Sequence, residues 1–374
     1  MDMLRRLYTI NFIDAFIAGA TTVIVPLLML ERGIDLATIG IVFAAAPLAK
    51  AVVRLAGAAI VDSLGDRVIY IFSSAADFLL SIAYLFSTTA TGFAAGKLLD
   101  GARESAIWSA VRPSLMAASP EKKHFVLTDM LSGRLVYNAA GSLAVGALFA
   151  FGGYDLPLLC LVVLSAYLVF SSLRLKNIHK ASSRVRLSDF NPFGRSRKFY
   201  EIAGVFTLGG VLYHAAFYVL LPIYFSVLGF TLGEIGIIYA GYFLILGGTL
   251  HVITHRRVET PKAAVAGAAI FCAGLVGVAF APPALAPFFF LFMAFGDAGL
   301  AVLWEQMNYI GAKESKKRAT DLSMLIMPCL LVTIAATAVS GIAAEAFGFA
   351  PIFLLVALTE IGFAAWCVRL AAMD

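Results

Sequence analysis

The chain has 374 residues, of which 61% are hydrophobic and only 14% charged, and its formal net charge is +5. A soluble domain is about 45–50% apolar and about 25% charged, so this composition excludes a water-soluble fold, a disordered chain and a disulfide-rich secreted module. Positive charge of this size fits contact with anionic lipid headgroups and does not indicate nucleic-acid binding. The sequence predicts a polytopic membrane protein.

Twelve apolar runs are long enough to cross a bilayer as helices, which need about 20 residues each. They lie at 7–30, 38–61, 67–89, 91–116, 128–150, 155–173, 200–227, 234–253, 263–283, 286–310, 321–344 and 349–370. The strands of a membrane β-barrel would alternate over segments of about 10 residues, whereas these runs are continuous. We therefore expect an all-α integral membrane protein with twelve transmembrane helices.

Basic residues indicate how these helices are oriented. If the N-terminus is cytoplasmic, all but six of the 28 Lys and Arg residues fall in cytoplasmic segments or the central loop. The outer loops hold only Arg32, and the other five lie inside predicted helices. By the positive-inside rule, both termini are cytoplasmic. The predicted location is the plasma or inner membrane, as a multi-pass protein.

An internal repeat divides the chain in two. The polar stretch 174–198 separates six spans from six, and a constant shift of 196 places Pro26 on Pro222, Gly40 on Gly236 and Trp108 on Trp304. Such repeats are typical of secondary transporters built from two related bundles. We predict an N-terminal six-helix bundle at 1–173, a basic cytoplasmic linker at 174–198 and a C-terminal six-helix bundle at 199–374.

Two six-helix halves joined by a basic loop resemble the major facilitator superfamily, and the resemblance covers the whole chain. Its most specific motif, Gly-x-Leu-Ala-Asp-Arg-x-Gly-Arg-Arg/Lys, follows the second helix. Asp62, Gly65 and Arg67 match it in register, while Gly57 lies one residue early and Ser63 and Asp66 replace the first two arginines. The resemblance implies a latch on the cytoplasmic gate. Its predicted residues are Gly57, Asp62, Gly65, Arg67 and Arg112, with Asp62 facing a helix N-terminus and pairing with Arg112 or Arg67.

Charges inside the bilayer are costly, so their presence indicates pairing, hydration or function. Lys97 takes the basic position of a second family pattern, Arg-x-x-x-Gly-x-Gly, which the resemblance links to proton coupling. Asp14 has no cation on its own helix, whereas Asp100 can pair with Arg103, and Glu104 with Lys97 or Arg134. The predicted proton-coupling residues are Asp14, Lys97, Asp100, Arg103 and Glu104.

Polar and aromatic residues of the remaining helices suggest a substrate surface, supplied largely by the second half of the chain. The predicted substrate-binding residues are Asn11, Arg134, Tyr137, Asn138, His214, Tyr218, Tyr239, Tyr242, Asp297, Trp304, Glu305 and Asn308.

Neither an enzyme nor a metalloprotein is expected. Four cysteines stand singly in different helices, and no cysteine spacing such as C-x-x-C is present. A membrane-embedded transferase would need a cluster of histidine and carboxylate side chains, which the five histidines do not predict. No nucleotide-binding loop is present, so we expect no cofactor.

The leading hypothesis is a secondary active transporter of a small organic solute, working by alternating access. Proton-coupled export of amphipathic or cationic compounds is favoured. One alternative is a proton-coupled transporter of an anionic metabolite, and another is a membrane sensor or lipid transporter on the same scaffold. The expected partners are a small-molecule substrate, protons and the bilayer, with the chain acting as a monomer.

Overall fold

A computed structural model describes residues 2–118, 123–177, 190–191, 193–256, 260–312 and 318–371. Across these ranges the chain forms twelve long helices and no β-strand, which confirms the predicted fold class. The helices are α1 Asp2–Glu31, α2 Leu36–Leu64, α3 Arg67–Phe86, α4 Ala90–Ala118, α5 Lys123–Gly152, α6 Asp155–Leu173, α7 Arg197–Val227, α8 Leu232–His255, α9 Thr260–Phe280, α10 Ala286–Ala312, α11 Arg318–Phe347 and α12 Phe349–Ala371.

Ten of these helices are long and apolar enough to span a membrane by length and composition alone. The two others are α9, whose described apolar part is the shorter Ala264–Phe280, and α4. Helix α4 falls short because of its charges: Lys97, Asp100, Arg103 and Glu104 occupy two successive turns, and Arg112 follows. A helix this polar is stable in a bilayer only if neighbouring helices cover its charges.

Helix contacts follow a pseudo-twofold pattern. Helix α1 packs on α5, α2 on α4, and α3 on α4 and α6; six helices later, α7 packs on α11, α8 on α10, and α9 on α10 and α12. Between the halves, α2 packs along α11 and α5 along α8, which are again equivalent pairs. The linker lies largely outside the described residues, so the exact domain limits stay predictions.

The turns after α1 and α7 show the repeat in detail. Gly33 and Gly229 both have positive φ, at 74° and 93°, a conformation that glycine adopts without steric cost. Each turn leads into an N-capped helix. Asp35 accepts a hydrogen bond from the Thr38 amide at 2.7 Å, which holds the pKa of Asp35 below its usual value, and Thr231 forms a capping box with Glu234.

Another pair of equivalent turns is displaced by one residue. The constant shift of 196 aligns Gly152 with Gly348, but the positive-φ glycines that follow the equivalent helices α5 and α11 are Gly153 and Gly348.

Helix α7 is irregular where it borders the space between the halves. Its regular turns end at Gly210, and a π-helical segment covers Ala216–Leu220. Pro222 lies two residues after this segment, and a proline has no N–H to donate to the carbonyl four residues earlier, here that of Tyr218. The wider turn accommodates this break, and such segments often mark functional sites.

Several helices approach so closely that only glycine fits between them. A β-carbon on Gly141 of α5 would lie 2.0 Å from the Phe16 carbonyl oxygen of α1, and one on Gly101 of α4 would lie 2.0 Å from that of Ala46 on α2. Small residues at membrane helix interfaces allow this backbone contact. The opposite helix faces carry exposed apolar side chains such as Val52 and Leu358, which is typical of lipid contact.

Gly141→Ala is expected to lower the free energy of unfolding by roughly 1–3 kcal/mol, because the added methyl group must displace the backbone of α1. Gly248→Ala is the matched control: this glycine also lies within a helix, but a β-carbon there has no neighbour within 4 Å. It should leave stability unchanged or raise it by about 0.5–1 kcal/mol. Thermal unfolding in detergent measures both, and equal melting temperatures would contradict the packing described.

Candidate transport pathway and its charged network

A cavity lies between the two halves, in two adjoining compartments of about 360 Å³ and about 160 Å³. Both compartments are bordered by Glu104 and Trp108 of α4 and by Tyr213, His214 and Tyr218 of α7. The smaller one extends to Ala18, Thr21 and Thr22 in the middle of α1. The larger one extends along α2, α10, α11 and α12. Walls from both halves make this space the candidate substrate pathway.

Asp14 joins three helices in the first half. Its side chain is fully buried, and its two carboxylate oxygens accept hydrogen bonds from Arg103 of α4 and Arg134 of α5, both at 2.6 Å. Arg134 also donates to the backbone oxygen of Asn11 at 3.0 Å. Charge-assisted bonds of this length are among the stronger interactions in a protein. Asp14 is therefore neutralised by two guanidinium groups and does not border the cavity.

Arg103 is the centre of this network. Besides Asp14 it contacts Asp100 of its own helix at 2.8 Å and Asp77 of α3 at 3.4 Å. Asp100 in turn accepts a hydrogen bond from Lys97 at 3.0 Å, and the Lys97 ammonium lies 4.1 Å from the ring centroid of Phe43. One arginine thus links helices α1, α3 and α4 through three carboxylates.

A second ion pair joins α2 to α4. Lys50 contacts Glu104 at 2.7 Å, and both side chains border the larger compartment. The sequence predicted Lys97 or Arg134 as the partner of Glu104, which is wrong. Those residues were chosen by their helical spacing and their expected neighbourhood, but Lys97 is taken by Asp100 and Arg134 by Asp14.

The wall formed by the second half is acidic and aromatic. Asp297 of α10 accepts hydrogen bonds from Tyr213 at 2.8 Å and from Tyr242 at 2.5 Å. Glu360 of α12 is also buried and borders the larger compartment. No basic side chain among the described residues forms a salt bridge with either carboxyl group. Protonation or a bound cation can neutralise such groups.

One cation on the first-half wall of the larger compartment has no described ion pair. Arg54 of α2 is buried on the wall of the larger compartment, and it forms no ion pair with any described acidic side chain. Its Nε atom also lacks a hydrogen-bond partner within the described part of the chain.

Polar contacts close the space between the halves at one end. Arg112 of α4 forms a two-pronged ion pair with Glu305 of α10, in which its Nε lies 3.2 Å from one carboxylate oxygen. Asp62 at the end of α2 accepts hydrogen bonds from the amide and hydroxyl of Thr320, in the first turn of α11, at 3.2 and 2.9 Å. The sequence placed a carboxylate at a helix N-terminus here, and the described contact agrees. Arg112 was predicted to pair with Asp62, but the ion pair described for it is with Glu305.

The other residues of the motif at the end of α2 contact neighbours in the first half. Gly65 ends α2 with a φ of 94°, and the Arg67 guanidinium donates to the Leu173 carbonyl at 3.1 Å. Asp66 accepts a hydrogen bond from Ser114 at 2.5 Å. Gly57 packs beside Ser109 at ordinary van der Waals distance.

The predicted substrate-binding residues fall into two groups. Those that border the cavity are Arg134, Asn138, His214, Tyr218, Asp297, Trp304 and Glu305. Those that do not are Asn11, Tyr137, Tyr239, Tyr242 and Asn308. Helical spacing places side chains on one face of a helix but does not fix how that face is turned towards other helices.

The residues outside the cavity have other partners. Tyr137 is 41% exposed and stacks on Phe12, with 4.6 Å between the ring centroids. Tyr239 donates to the Phe217 carbonyl at 2.8 Å, and Asn308 donates to the Trp304 carbonyl at 3.1 Å. Tyr242 and Asn11 lie behind the cavity wall, where they contact the wall residues Asp297 and Arg134 respectively.

Sequence reasoning left several wall residues out of the predicted site, namely Lys50, Arg54, Tyr213 and Glu360. Lys50 and Arg54 are both buried at the cavity. Glu360 carried a usable signal, because it is the only charged residue within α12 before Arg369. The expectation of no histidine–carboxylate cluster is also wrong: Asp129, His251 and His255 come together where α5 meets α8.

The profile of the Major Facilitator Superfamily matches residues 7–306. The chain belongs to this superfamily. It is therefore a multi-pass membrane transporter of small solutes, as the sequence predicted. No curated protein sequence matches it.

Solved structures show the same fold at low sequence identity. The human organic anion transporter MFSD10 superposes with a TM-score of 0.71 at 13% identity, covering 97% of this chain and 99% of that one. A D-xylose–proton symporter gives a TM-score of 0.73 at 12% identity, covering 98% and 97%. The nucleoside transporter NupG gives 0.68 at 17% identity, covering 98% of each chain. At these identities the similarity establishes the fold and not the substrate.

Asp14→Asn is expected to destabilise this transporter by about 3–5 kcal/mol, because it leaves two buried guanidinium groups without their shared carboxylate. Glu360→Gln is the matched control, since it neutralises a buried carboxyl group that has no described ion pair. Its melting temperature in detergent should stay at or above that of the parent protein. Equal losses of stability in the two variants would contradict the structural role assigned to Asp14.

Proposed function

We propose that this protein is a proton-coupled transporter that exports amphipathic or cationic small organic compounds by alternating access. The observation that carries the proposal is the pair of carboxyl groups, Asp297 and Glu360, on a cavity wall where no described cation neutralises them. A buried charge without a partner is unfavourable. A proton or a cationic substrate would therefore bind here with a direct electrostatic gain.

The aromatic residues beside these acids suit an organic cation. Tyr213, Tyr218 and Trp304 border the same compartment as Asp297 and Glu360. Aromatic rings bury the apolar part of a ligand, and their faces attract positive charge. A volume of about 360 Å³ is suitable for a small organic molecule. The combination favours a substrate that is both apolar and positively charged.

Competition for the same carboxyl groups explains how transport and proton movement could be linked. If either a proton or the cationic substrate neutralises the acidic wall, but not both together, the two move in opposite directions across the membrane. The differential affinity of the two conformations for each ligand then drives the exchange. This is the physical basis of the proposed antiport.

The proton-coupling set predicted in the first half remains a prediction. Lys97, Asp100, Arg103 and Glu104 border the cavity, whereas Asp14 does not. All five already have opposite charges in contact. We assign Asp14 and Arg103 a framework role and place proton exchange at the acidic wall.

The distribution of basic residues indicates which end of the pathway faces the cytoplasm. With the positive-inside arrangement, the ends of α4 and α10 that carry Arg112 and Glu305 lie at the cytoplasmic side. We propose that this ion pair and the contact between Asp62 and Thr320 form the cytoplasmic gate. Both would separate when the pathway opens inward.

An anionic metabolite is the second candidate, and Arg54 is the observation that favours it. This buried guanidinium borders the cavity with no described ion pair, so it could bind a carboxylate or phosphate. The structural neighbours are named for an organic anion, a nucleoside and D-xylose, so their names support small organic solutes in general. The acidic wall leads us to prefer the cation.

A binding screen on the purified protein separates the two candidates. Lipophilic quaternary ammonium and phosphonium ions should stabilise the protein against heat, whereas dicarboxylates and sugar phosphates should not. Asp297→Asn should weaken cation binding by about 10- to 100-fold, as expected for loss of a charge-assisted interaction worth roughly 1.5–3 kcal/mol. Arg54→Gln should leave cation binding unchanged or improve it. Selective binding of the anions, lost in Arg54→Gln, would establish the alternative.

Proton coupling is tested in proteoliposomes with a compound from that screen. A pH gradient should drive its accumulation by the parent protein, while Glu360→Gln should lose gradient-driven accumulation and keep exchange of labelled for unlabelled compound. Glu201→Gln is the control, since its carboxylate contacts the exposed Arg197 at 2.8 Å and lies away from the cavity. If proton coupling survives in both Glu360→Gln and Asp297→Asn, proton exchange at the acidic wall is contradicted, and Asp14 and the charges of α4 become the candidates for coupling.

A further inference from the structure

Three potential metal ligands meet where the two halves touch. His251 and His255 lie one turn apart on α8, in the second half, with ring centroids 4.0 Å apart. Asp129 on α5, in the first half, faces both of them: its Oδ1 lies 3.4 Å from Nδ1 of His251 and 3.8 Å from Nε2 of His255. One ligand atom from each of the three residues lies within 4.8 Å of the other two.

The spacing of the two histidines, and a hydrogen bond to the ring of His255, suit them to bind a metal. Residues four apart on a helix project their side chains from the same face, which is how paired histidines hold zinc in other helical sites. Nδ1 of His255 lies 3.0 Å from the His251 carbonyl oxygen, so in the neutral ring it donates its N–H there. This leaves the lone pair on Nε2, the atom that faces Asp129. Such a hydrogen bond to the other ring nitrogen is the usual support of a metal-bound histidine.

The carboxylate of Asp129 lies beside both rings. Oδ1 of Asp129 is buried and has no hydrogen-bond partner within the described part of the chain, although it faces both imidazoles. The side chains of His251, His255 and Asp129 are 55%, 46% and 39% exposed, so an ion and its water ligands can enter from solution. Zinc ligands bind at about 2.0–2.2 Å, which requires the three groups to contract slightly around the ion. Half-exposed side chains can make that adjustment by rotation.

We propose that Asp129, His251 and His255 form a binding site for a divalent transition-metal ion of the zinc type, with water completing the coordination. Two nitrogens and one carboxylate oxygen suit Zn²⁺ and do not suit Mg²⁺ or Ca²⁺, which prefer oxygen ligands. Because the ligands come from both halves, the bound ion ties α5 to α8. It stabilises the conformation in which these helix ends touch and so acts as an inhibitory clamp on alternating access.

The test uses the full-length protein, purified without a histidine tag, in detergent. Zn²⁺ titrated by calorimetry should bind one ion per chain and raise the melting temperature of the parent protein, since a ligand of the folded state stabilises it. His251→Ala, His255→Ala and Asp129→Asn should each weaken binding by at least about tenfold and remove the thermal shift. Co²⁺ substituted into the site should give a ligand-field spectrum that these variants lack.

His179→Ala is the control for unspecific binding by histidine and should bind Zn²⁺ as the parent protein does. Gel filtration and the metal-free melting temperature check that every variant is folded. The proposal is overturned if the parent protein shows no saturable Zn²⁺ binding, or if the three variants bind like the parent. Loss of binding in the histidine variants but not in Asp129→Asn would also overturn it, because the ion would then not bridge the halves.

Discussion

A charge inside a bilayer is stable only if an opposite charge or water neutralises it. In the first half of this transporter, one arginine pairs with three carboxylates. Arg103 contacts carboxylates from α1, α3 and α4, and Asp14 passes the connection on to α5 through Arg134. The polar helix α4 can lie in a membrane because these neighbours cover it. The same contacts fix the relative positions of four helices, so the shape of the cavity wall depends on the Asp14–Arg103 contact.

The two halves share a fold but differ in how their buried charges are paired. Nearly all charged side chains of the first half that lie at or beside the cavity contact an opposite charge. The second half has few charges at the cavity, and those of Asp297 and Glu360 are acidic without a described cation. Charge without a described ion pair therefore lies on both walls, as the acids Asp297 and Glu360 of the second half and as Arg54 of the first half. The two acids are the basis of the proposed competition between a proton and a cationic substrate.

The sequence predicted the helices and the repeat well, because both depend on local pattern. Apolar runs of about 20 residues set the spans, and the glycine at the same place after α1 and α7 reflects the same turn in each half. The ion-pair partner that was predicted correctly lies on the same helix, as for Asp100 with Arg103. Glu104 with Lys50 and Arg112 with Glu305 join different helices, and their pairing depends on packing that the spacing of residues does not encode.

The contacts between the two halves differ in kind at the two ends of the interface. Towards the start of α2 and the end of α11, contact is mainly by close backbone packing: a β-carbon on Gly341 would lie 2.0 Å from the Leu36 carbonyl oxygen. The Ala37 amide adds one hydrogen bond there, to Glu345 at 2.9 Å. Towards the other end, the contacts are polar, through Arg112 with Glu305. Separation of an ion pair next to an open cavity allows water to hydrate both charges, so little of the interaction is lost. Glycine packing has no such replacement, because its contacts are dispersion forces that act only at short range. We therefore expect the end with polar contacts to open at lower cost from this conformation, and a ligand that bridges α5 and α8 on the same side to act on that step.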